Sequence, residues 1–449
     1  MSGRYDAIVI GASAGGLAAA ALLAKGGARV LLLEKRLAPP EPAGPLFALD
    51  PALVETLKLA NHGLVFRRRA LGLLLWDAEE DDLLLPAEPR AASRALARVS
   101  RADADAWSAL QSELSTQGRA LRRWWFHPHS GGAAEAVLGQ GARRRFAHDS
   151  LTGAEAFLAR AFESPRLAGA LLHDALAGGL APSEPGSALT LVWRGAQEIA
   201  GAQGAVAMPE RGSLIAALKS AYGGERRFGA LVTEILAAQG VAGVRLEDGE
   251  IIEARAVLSS LSRAKTEKLA GLGRPAAARA MGEAKILLTL AEGFVLPPAL
   301  DQARALLAMT PQDYADAHEA ARAGRLPRLL PLSLAAEGPR RLVLSLPLAP
   351  VAPPGGWTRY QAPFAAAAIT RLRRHLPGLG EALTGVTVTP PKAFARAGLA
   401  QLLAPALARA STGVERLYLC GEEAEPVPCI SGRAGRFAAH FAARTLAGS

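Results

Sequence analysis

The run Tyr5-Asp6-Ala7-Ile8-Val9-Ile10 is apolar and β-branched, and it stops at Gly11. Such a run predicts a short buried strand. From Leu17 to Lys25 the chain is Leu and Ala without a breaker, which predicts a helix, and Gly26-Gly27 ends it. Arg29 to Leu33 is a second apolar strand that ends on Glu34. Together these pieces predict a βαβ unit of about 30 residues. Farther along, Leu231–Leu236, Val241–Leu246 and Glu250–Leu258 are short apolar runs. The turn dipeptide Asp248-Gly249 joins the last two, so a small antiparallel meander is predicted, running into Ser259-Ser260. Near the end, Glu415–Cys420 reads as a buried strand closing on Gly421-Glu422, and Arg436–Leu446 reads as a final helix. Ser93–Leu114 and Phe364–Leu376 carry Arg on one side and Leu, Ala or Phe on the other, the pattern of amphipathic helices.

The uncharged stretch Ala7–Ala24 is just long enough for a membrane span. Gly11, Ser13, Gly15 and Gly16 interrupt it, so a strand, a tight turn and a packed helix are expected instead. The chain has 449 residues, half of them apolar and 20% charged. That length and balance suit two to three ordered domains with a large core. A net charge of +10 favours anionic partners. However, no Lys/Arg run exceeds three residues, and the densest, Arg67–Arg69 and Arg143–Arg145, are not interleaved with aromatics. Arginine spread over a solvated surface accounts for the charge, and nucleic-acid binding is not expected. Two cysteines, Cys420 and Cys429, supply neither a disulfide framework nor a zinc site. No secretory leader pattern opens the chain, and a reducing, cytoplasmic setting is expected.

The βαβ turn reads Gly11-Ala12-Ser13-Ala14-Gly15-Gly16. A dinucleotide fingerprint wants Gly at its first, third and sixth places. Gly11 allows the tight turn and Gly16 lets the helix pack on the strand. Ser13 departs at the third place, where its hydroxyl could itself donate to a phosphate oxygen. The helix start offers free amides and a positive dipole end to a pyrophosphate. Glu34 falls 18 residues after Gly16, where a carboxylate accepts from a ribose hydroxyl. A packing turn made of small residues would look similar, but it would not need the acid.

Other chemistry is sparse. No nucleophile elbow, His-rich metal spacing or Walker-type loop occurs. His127 and His129 in Trp124-Trp125-Phe126-His127-Pro128-His129 could shuttle protons or bind metal, or could be exposed histidines at a Pro turn over a packed aromatic corner. His62-Gly63 reads as a structural turn. Cys420 ends an apolar strand, where a buried inert thiol is the default, and redox pairing with Cys429 is the sharper alternative. Glu422 and Glu423 are candidate general bases.

The chain resembles the phytoene-desaturase-like FAD-dependent oxidoreductases, within the glutathione-reductase-type and amine-oxidase-type flavoproteins. The segments that carry the resemblance are DAIVIGASAGGLAAAALLAKGGARVLLLEKR, LFALDPALVETLKLANHGLVF, FLARAFESPRLAGALLHDALAGGLAPSEPGSAL, LVTEILAAQGVAGVRLEDGEIIEARAVLSSLS and LYLCGEEAEPVPCISGRAGRFAAHFAA. The third of these looks like the pyridine-nucleotide-disulfide-oxidoreductase-like branch. The resemblance implies an α/β fold with a Rossmann-type FAD domain of the glutathione-reductase kind, built from residues 1–70, 203–275 and 410–449. An inserted α+β substrate domain would take 71–202 and 276–409.

It also implies roles by position. Gly11, Ser13, Ala14, Gly15 and Gly16 would line the pyrophosphate. Glu34 would hold the adenosine ribose, with Lys35 and Arg36 beside it. Val232 would meet adenine through its backbone, Gly421 and Glu422 would sit at the pyrophosphate and ribityl chain, and Ile430 and Ser431 would lie by the flavin's pyrimidine edge. The activity implied is hydride transfer to or from flavin N5 on a largely apolar substrate such as a polyene, by desaturation, saturation or isomerisation of a C–C bond. An amine-oxidase-type or hydroxylating enzyme, and an FAD-binding partner protein with altered redox activity, are the alternatives. Peripheral membrane contact through a basic amphipathic helix would suit an apolar substrate, although ordinary surface helices share the pattern.

Three stretches depart from the family pattern, all where the isoalloxazine is expected: the proline-rich LAPPEPAGP after Arg36, Pro209-Glu210-Arg211-Gly212-Ser213, and Pro426-Val427-Pro428-Cys429. The adenosine half of the site is intact and the flavin half is rewritten.

Overall fold

The computed structural model describes residues 4–39, 49–69, 71–77, 80–128, 139–176, 179–199, 206–211, 213–237, 240–273, 279–392, 394 and 398–448. His129, Gly212 and the Pro40–Pro45 part of the proline-rich stretch lie outside them. The strands are, in chain order, β1 (Tyr5–Ile10), β2 (Val30–Glu34), β3 (Val65–Arg69), β4 (Gly72–Trp76), β5 (Leu83–Leu85), β6 (Val206–Arg211), β7 (Glu225–Phe228) and β8 (Val232–Leu236). They continue as β9 (Gly243–Leu246), β10 (Ile251–Ser259), β11 (Met281–Leu290), β12 (Ala303–Leu307), β13 (Ser333–Ala336), β14 (Arg341–Pro350), β15 (Leu383–Thr389) and β16 (Leu417–Leu419).

The first sheet runs β7-β2-β1-β10-β9-β8, with β16 also beside β10. β7, β2, β1, β10 and β16 are parallel, in register Ala7↔Val30, Ala7↔Ala256 and Val257↔Leu417. The first residues of β10 pair antiparallel with β9, and its last ones pair parallel with β1. One strand therefore ties the meander to the parallel core. Ala7 and Val9 face a core shared with Leu17, Ala438 and Ala439, while Ile8 and Ile10 face Ile235, Val244 and Val257. Both faces are covered, which is why β1 is a near-continuous apolar run rather than an alternating one.

The uncharged stretch is a strand, a turn and the helix Ala14–Lys25, which starts earlier than Leu17 because Ser13 caps it. No helix among the described residues is long and apolar enough to cross a membrane. The second sheet runs β15-β11-β14-β13-β12-β4-β5 and is antiparallel except for β12 with β4. The helix Trp357–Leu372 covers it, setting Phe364, Ala368 and Leu372 against Ile286, Leu288 and Leu344. Beside it the helices Arg101–Phe126, Pro165–Ala175 and Ser187–Ile199 share an apolar core with Trp124, Trp125 and Phe146. β3 and β6 form a separate two-stranded ribbon.

The amphipathic stretch Ser93–Leu114 is two helices, Pro89–Ala97 and Arg101–Phe126. The break is capped: Ser100 Oγ accepts from the Asp103 amide at 3.1 Å. The buried Asp103 carboxylate then accepts from the amides of Glu163 and Ser164, at 2.8 and 3.1 Å, and ties the break to the next helical layer. Periodicity alone did not reveal the break, because Leu96 and Ala104 both remain on the buried side.

Candidate functional site

The carboxyl ends of β1, β2 and β10 converge on one cleft of about 530 Å³. That is where open α/β sheets place their ligands. The volume falls within the range of about 300–1,000 Å³ typical of small-molecule sites. Its lining includes Gly11, Ser13, Glu34, Lys35, Arg36 and Val232, which the sequence nominated. It also includes Ser260, Ser262, Lys265, Lys392, Phe394 and Glu423, which it did not assign to the cofactor.

The turn is built by close approaches. Gly11 has φ +90°, a conformation that side chains rarely adopt, and its amide donates to Leu33 O at 2.7 Å. A Cβ on Gly16 would sit 2.1 Å from Gly11 O, so the helix can lie against the strand only without a side chain there. A Cβ on Gly15 would sit 2.0 Å from Cys420 O, and one on Gly435 would sit 2.1 Å from Gly15 O. The first turn of the helix is thus wedged between the end of β16 and the closing helix Arg433–Ala447. Ala14, Gly15 and Gly16 act in this packing and do not line the described cleft. Ser13 Oγ accepts from the Gly16 amide at 3.3 Å, which leaves its hydroxyl hydrogen free to donate outward.

Glu34 is 7% exposed, yet it borders the cleft. Its carboxylate accepts from the amide of Ala12 at 2.8 Å and that of Arg36 at 3.0 Å. It therefore shapes the turn, and a carboxylate retains lone pairs for a ribose hydroxyl. Ser260 carries β10 into the same wall: its amide donates to Ile10 O at 2.8 Å and its hydroxyl to Gly11 O at 3.0 Å. Among the described residues, four cations border the cleft: Lys35, Arg36, Lys265 and Lys392. Burial, with Lys35 close by, holds the Lys265 ammonium below its usual range. Besides Glu34, the acids Glu422 and Glu423 line the wall, and both are engaged within the protein. Glu422 pairs with Lys392 at 2.5 Å, and Glu423 Oε2 accepts from the Arg263 amide at 2.5 Å. The cleft thus presents cations and the Ser13 hydroxyl to a ligand, a surface suited to phosphate.

Gly421 lies under the cleft floor, where a Cβ would be 2.5 Å from Ser260 O, and Glu422 is on the lining. Ile430 and Ser431 do not line the described cleft. Ser431 is buried, donates from Oγ to Glu425 Oε1 at 2.5 Å, and accepts from the Arg433 amide at 2.9 Å. Pro426–Cys429 lies between the short turn Glu422–Ala424 and the closing helix.

The other candidates resolve structurally. Trp124 and Trp125 are buried, with Trp125 Nε1 donating to Leu402 O at 2.8 Å, and His127 is exposed. His62 faces Ser220 Oγ at 3.0 Å. Both cysteines are free, and burial pushes each thiol up, away from nucleophilic use. Among the described residues no cluster could hold a metal.

Sequence reading missed a buried polar cluster in the helical part. Asp174 pairs with Arg194 at 3.1 Å and with Arg304, and His173 Nδ1 lies 3.1 Å from Tyr314 Oη. Burial opposes ionisation of Asp174, but the two arginines outweigh it and hold its carboxyl below the usual range. Burial drives His173 down to about 3. These residues lie 130 or more positions apart in places, so no local pattern could reveal them.

A family model of the NAD(P)-binding Rossmann-like domain matches residues 9–39, the βαβ unit that holds the turn and Glu34. No curated protein matches the chain. Among solved structures, an oxidoreductase from Methanosarcina mazei is similar at 16% identity and a TM-score of 0.61, covering 98% of this chain and 99% of that one. Wild-type putrescine oxidase bound to putrescine is similar at 12% identity and a TM-score of 0.63, covering 99% of each chain. Cyclohexylamine oxidase from Brevibacterium oxydans is similar at 16% identity and a TM-score of 0.59, again covering 99% of each. At these identities the likeness shows the fold alone: a Rossmann-type α/β domain beside a second sheet and its helices.

Proposed function

We propose that this chain binds FAD and works as an FAD-dependent oxidoreductase. The observation that carries the proposal is the cleft at the carboxyl ends of β1, β2 and β10, with Glu34 at its rim and cations and the Ser13 hydroxyl along its wall. That is the donor set an adenosine diphosphate group requires. Glu34 would accept from the ribose, the Ser13 hydroxyl would donate to a phosphate oxygen, and Lys265 and Lys392 would offset the phosphate charge. When bound, FAD supplies a hydride acceptor or donor. The protein's part is to seat it and to present a substrate.

For the substrate, we favour a largely apolar molecule whose C–C bond is desaturated, saturated or isomerised, as the resemblance to phytoene-desaturase-like enzymes implies. The fold likeness to putrescine and cyclohexylamine oxidases over nearly all of both chains favours a second reading, oxidation of a C–N bond. The engagement of Ser431 by Glu425 and Arg433 supports a third, an FAD-binding protein with altered redox activity.

The test begins with purified full-length protein and added FAD. FAD uptake measured at equilibrium by dialysis, with visible bands that bleach on addition of a polyene or an amine, supports the enzyme and selects between substrate classes. Protein that takes up no FAD would overturn the proposal. Protein that retains FAD but turns over neither class would leave the altered-redox reading standing.

A further inference from the structure

The two halves of the expected FAD site differ in what they leave open. At the adenosine half the wall groups face a cleft. At Ser431 and the start of the closing helix, where the resemblance sets the pyrimidine edge, the Ser431 hydroxyl and the first two helix amides are already used. A helix start can hold an acceptor-rich group only with amides still free. Here the Ala434 amide donates to Glu425 Oε1 at 2.8 Å, and the Arg433 amide donates to Ser431 Oγ at 2.9 Å. The same carboxylate accepts from Ser431 Oγ and pairs with the Arg433 guanidinium at 3.4 Å. Glu425 is 2% exposed and Arg433 1%.

The cluster is braced from three sides. Arg433 lies 3.9 Å above the Phe126 ring and donates to Gln197 Oε1 at 3.0 Å. Gln401 Nε2 holds the backbone carbonyls of Glu423 and Glu425 at 2.7 and 2.6 Å. The buried Arg409 guanidinium binds Ala424 O and Trp125 O at 3.1 and 3.3 Å. An internal carboxylate thus takes the acceptor's place at this helix start. Displacing it would strand a buried charge beside Arg433, which proteins tolerate poorly.

We propose that the cleft recognises the adenosine diphosphate group alone, so that FAD is held through that half and exchanges freely with ADP. This rests on the reading above only in that the ADP group binds at Gly11, Ser13 and Glu34. The flavin then behaves as a dissociable partner rather than a locked prosthetic group, and the ADP level competes for the same seat.

The test is isothermal titration of the full chain with ADP, FAD and FMN. Dissociation constants for ADP and FAD within tenfold of each other, with no binding of FMN, are expected. The visible bands of bound FAD should also keep the position and shape they have in water. FAD binding more than tenfold tighter than ADP, or FMN binding by itself, would overturn this inference and leave the proposed function intact. Failure of both ADP and FAD to bind would overturn both.

Discussion

Replacing Glu34 with Ala tests the link between fold and site most directly. The carboxylate is 7% exposed and accepts from two amides, at 2.8 Å from Ala12 and 3.0 Å from Arg36. Hydrogen bonds to a charged group contribute about 1.5–3 kcal/mol each, and removing the acceptor leaves both N–H groups without a partner. Glu34 borders the cleft, so water can reach part of the gap. Two such bonds sum to about 3–6 kcal/mol, so the expected loss of stability is about 3 kcal/mol, the lower end. The ligand loses a charged acceptor for its ribose, worth about 1.5–3 kcal/mol, or roughly a ten- to hundredfold weaker Kd. Glu34→Gln keeps one acceptor oxygen and the shape, and should fall between Ala and the native residue in both measurements. Thermal unfolding reports the first quantity and titration with ADP the second. A Glu34→Ala protein that binds ADP within twofold of the native chain would refute the assignment of this carboxylate to the ligand. An unchanged Tm would refute its role in holding the turn.

Gly15→Ala should destabilise the protein, because its Cβ would fall 2.0 Å from the Cys420 carbonyl. Overpacking of about 1–3 kcal/mol outweighs a gain in helix propensity of up to about 1 kcal/mol. Gly141→Ala, where a Cβ meets nothing within 4 Å, should raise Tm slightly or leave it alone, and equal effects at the two sites would contradict the packing argument. Lys392→Ala should leave Tm nearly unchanged, since its pair with Glu422 is a partly exposed one worth roughly 0–1 kcal/mol. It should nonetheless weaken ADP binding and flatten its salt dependence; an identical salt slope would remove Lys392 from the phosphate site. His173 is held neutral by burial, at about 3 against an ordinary 6.5, so the unfolded chain takes up a proton there that the folded one refuses. Its stability contribution is complete above pH 6.5 and falls as pH drops from 6.5 toward 3. The maximum slope is about 1.4 kcal/mol per pH unit. Tm of the native chain should therefore drop more steeply than that of His173→Gln over pH 6.5 to 4, and parallel curves would contradict the burial argument.

Much of this molecule was legible in order along the chain. The unit from Tyr5 to Glu34 could be read because each of its requirements is local: an apolar run, a turn of small residues, a helix without breakers, and an acid at a set distance. The meander after Leu231 and the strand before Gly421 are of the same kind. Residue types at those positions dictate backbone shape whatever surrounds them, so the ends of β1, β2 and β10 and the position of Glu34 follow directly.

What only the tertiary structure decided is how those ends are furnished. Lys265 and Lys392 enter the cleft from segments with no motif, and Glu425 reaches the start of the closing helix across a proline-rich bend. Gly16 packs the helix on β1 as the fingerprint predicts, whereas the contact of Gly15 with the Cys420 carbonyl after β16 shows only in the tertiary structure. A carboxylate's role depends on which amides and cations lie within about 3 Å of it, and tertiary folding can bring those from afar, as it brings the Arg263 amide to Glu423. The sequence therefore determined a nucleotide-binding turn and the strands that present it. The three-dimensional packing decided that a cleft stands open at that turn and that the start of the closing helix is occupied by the protein's own Glu425.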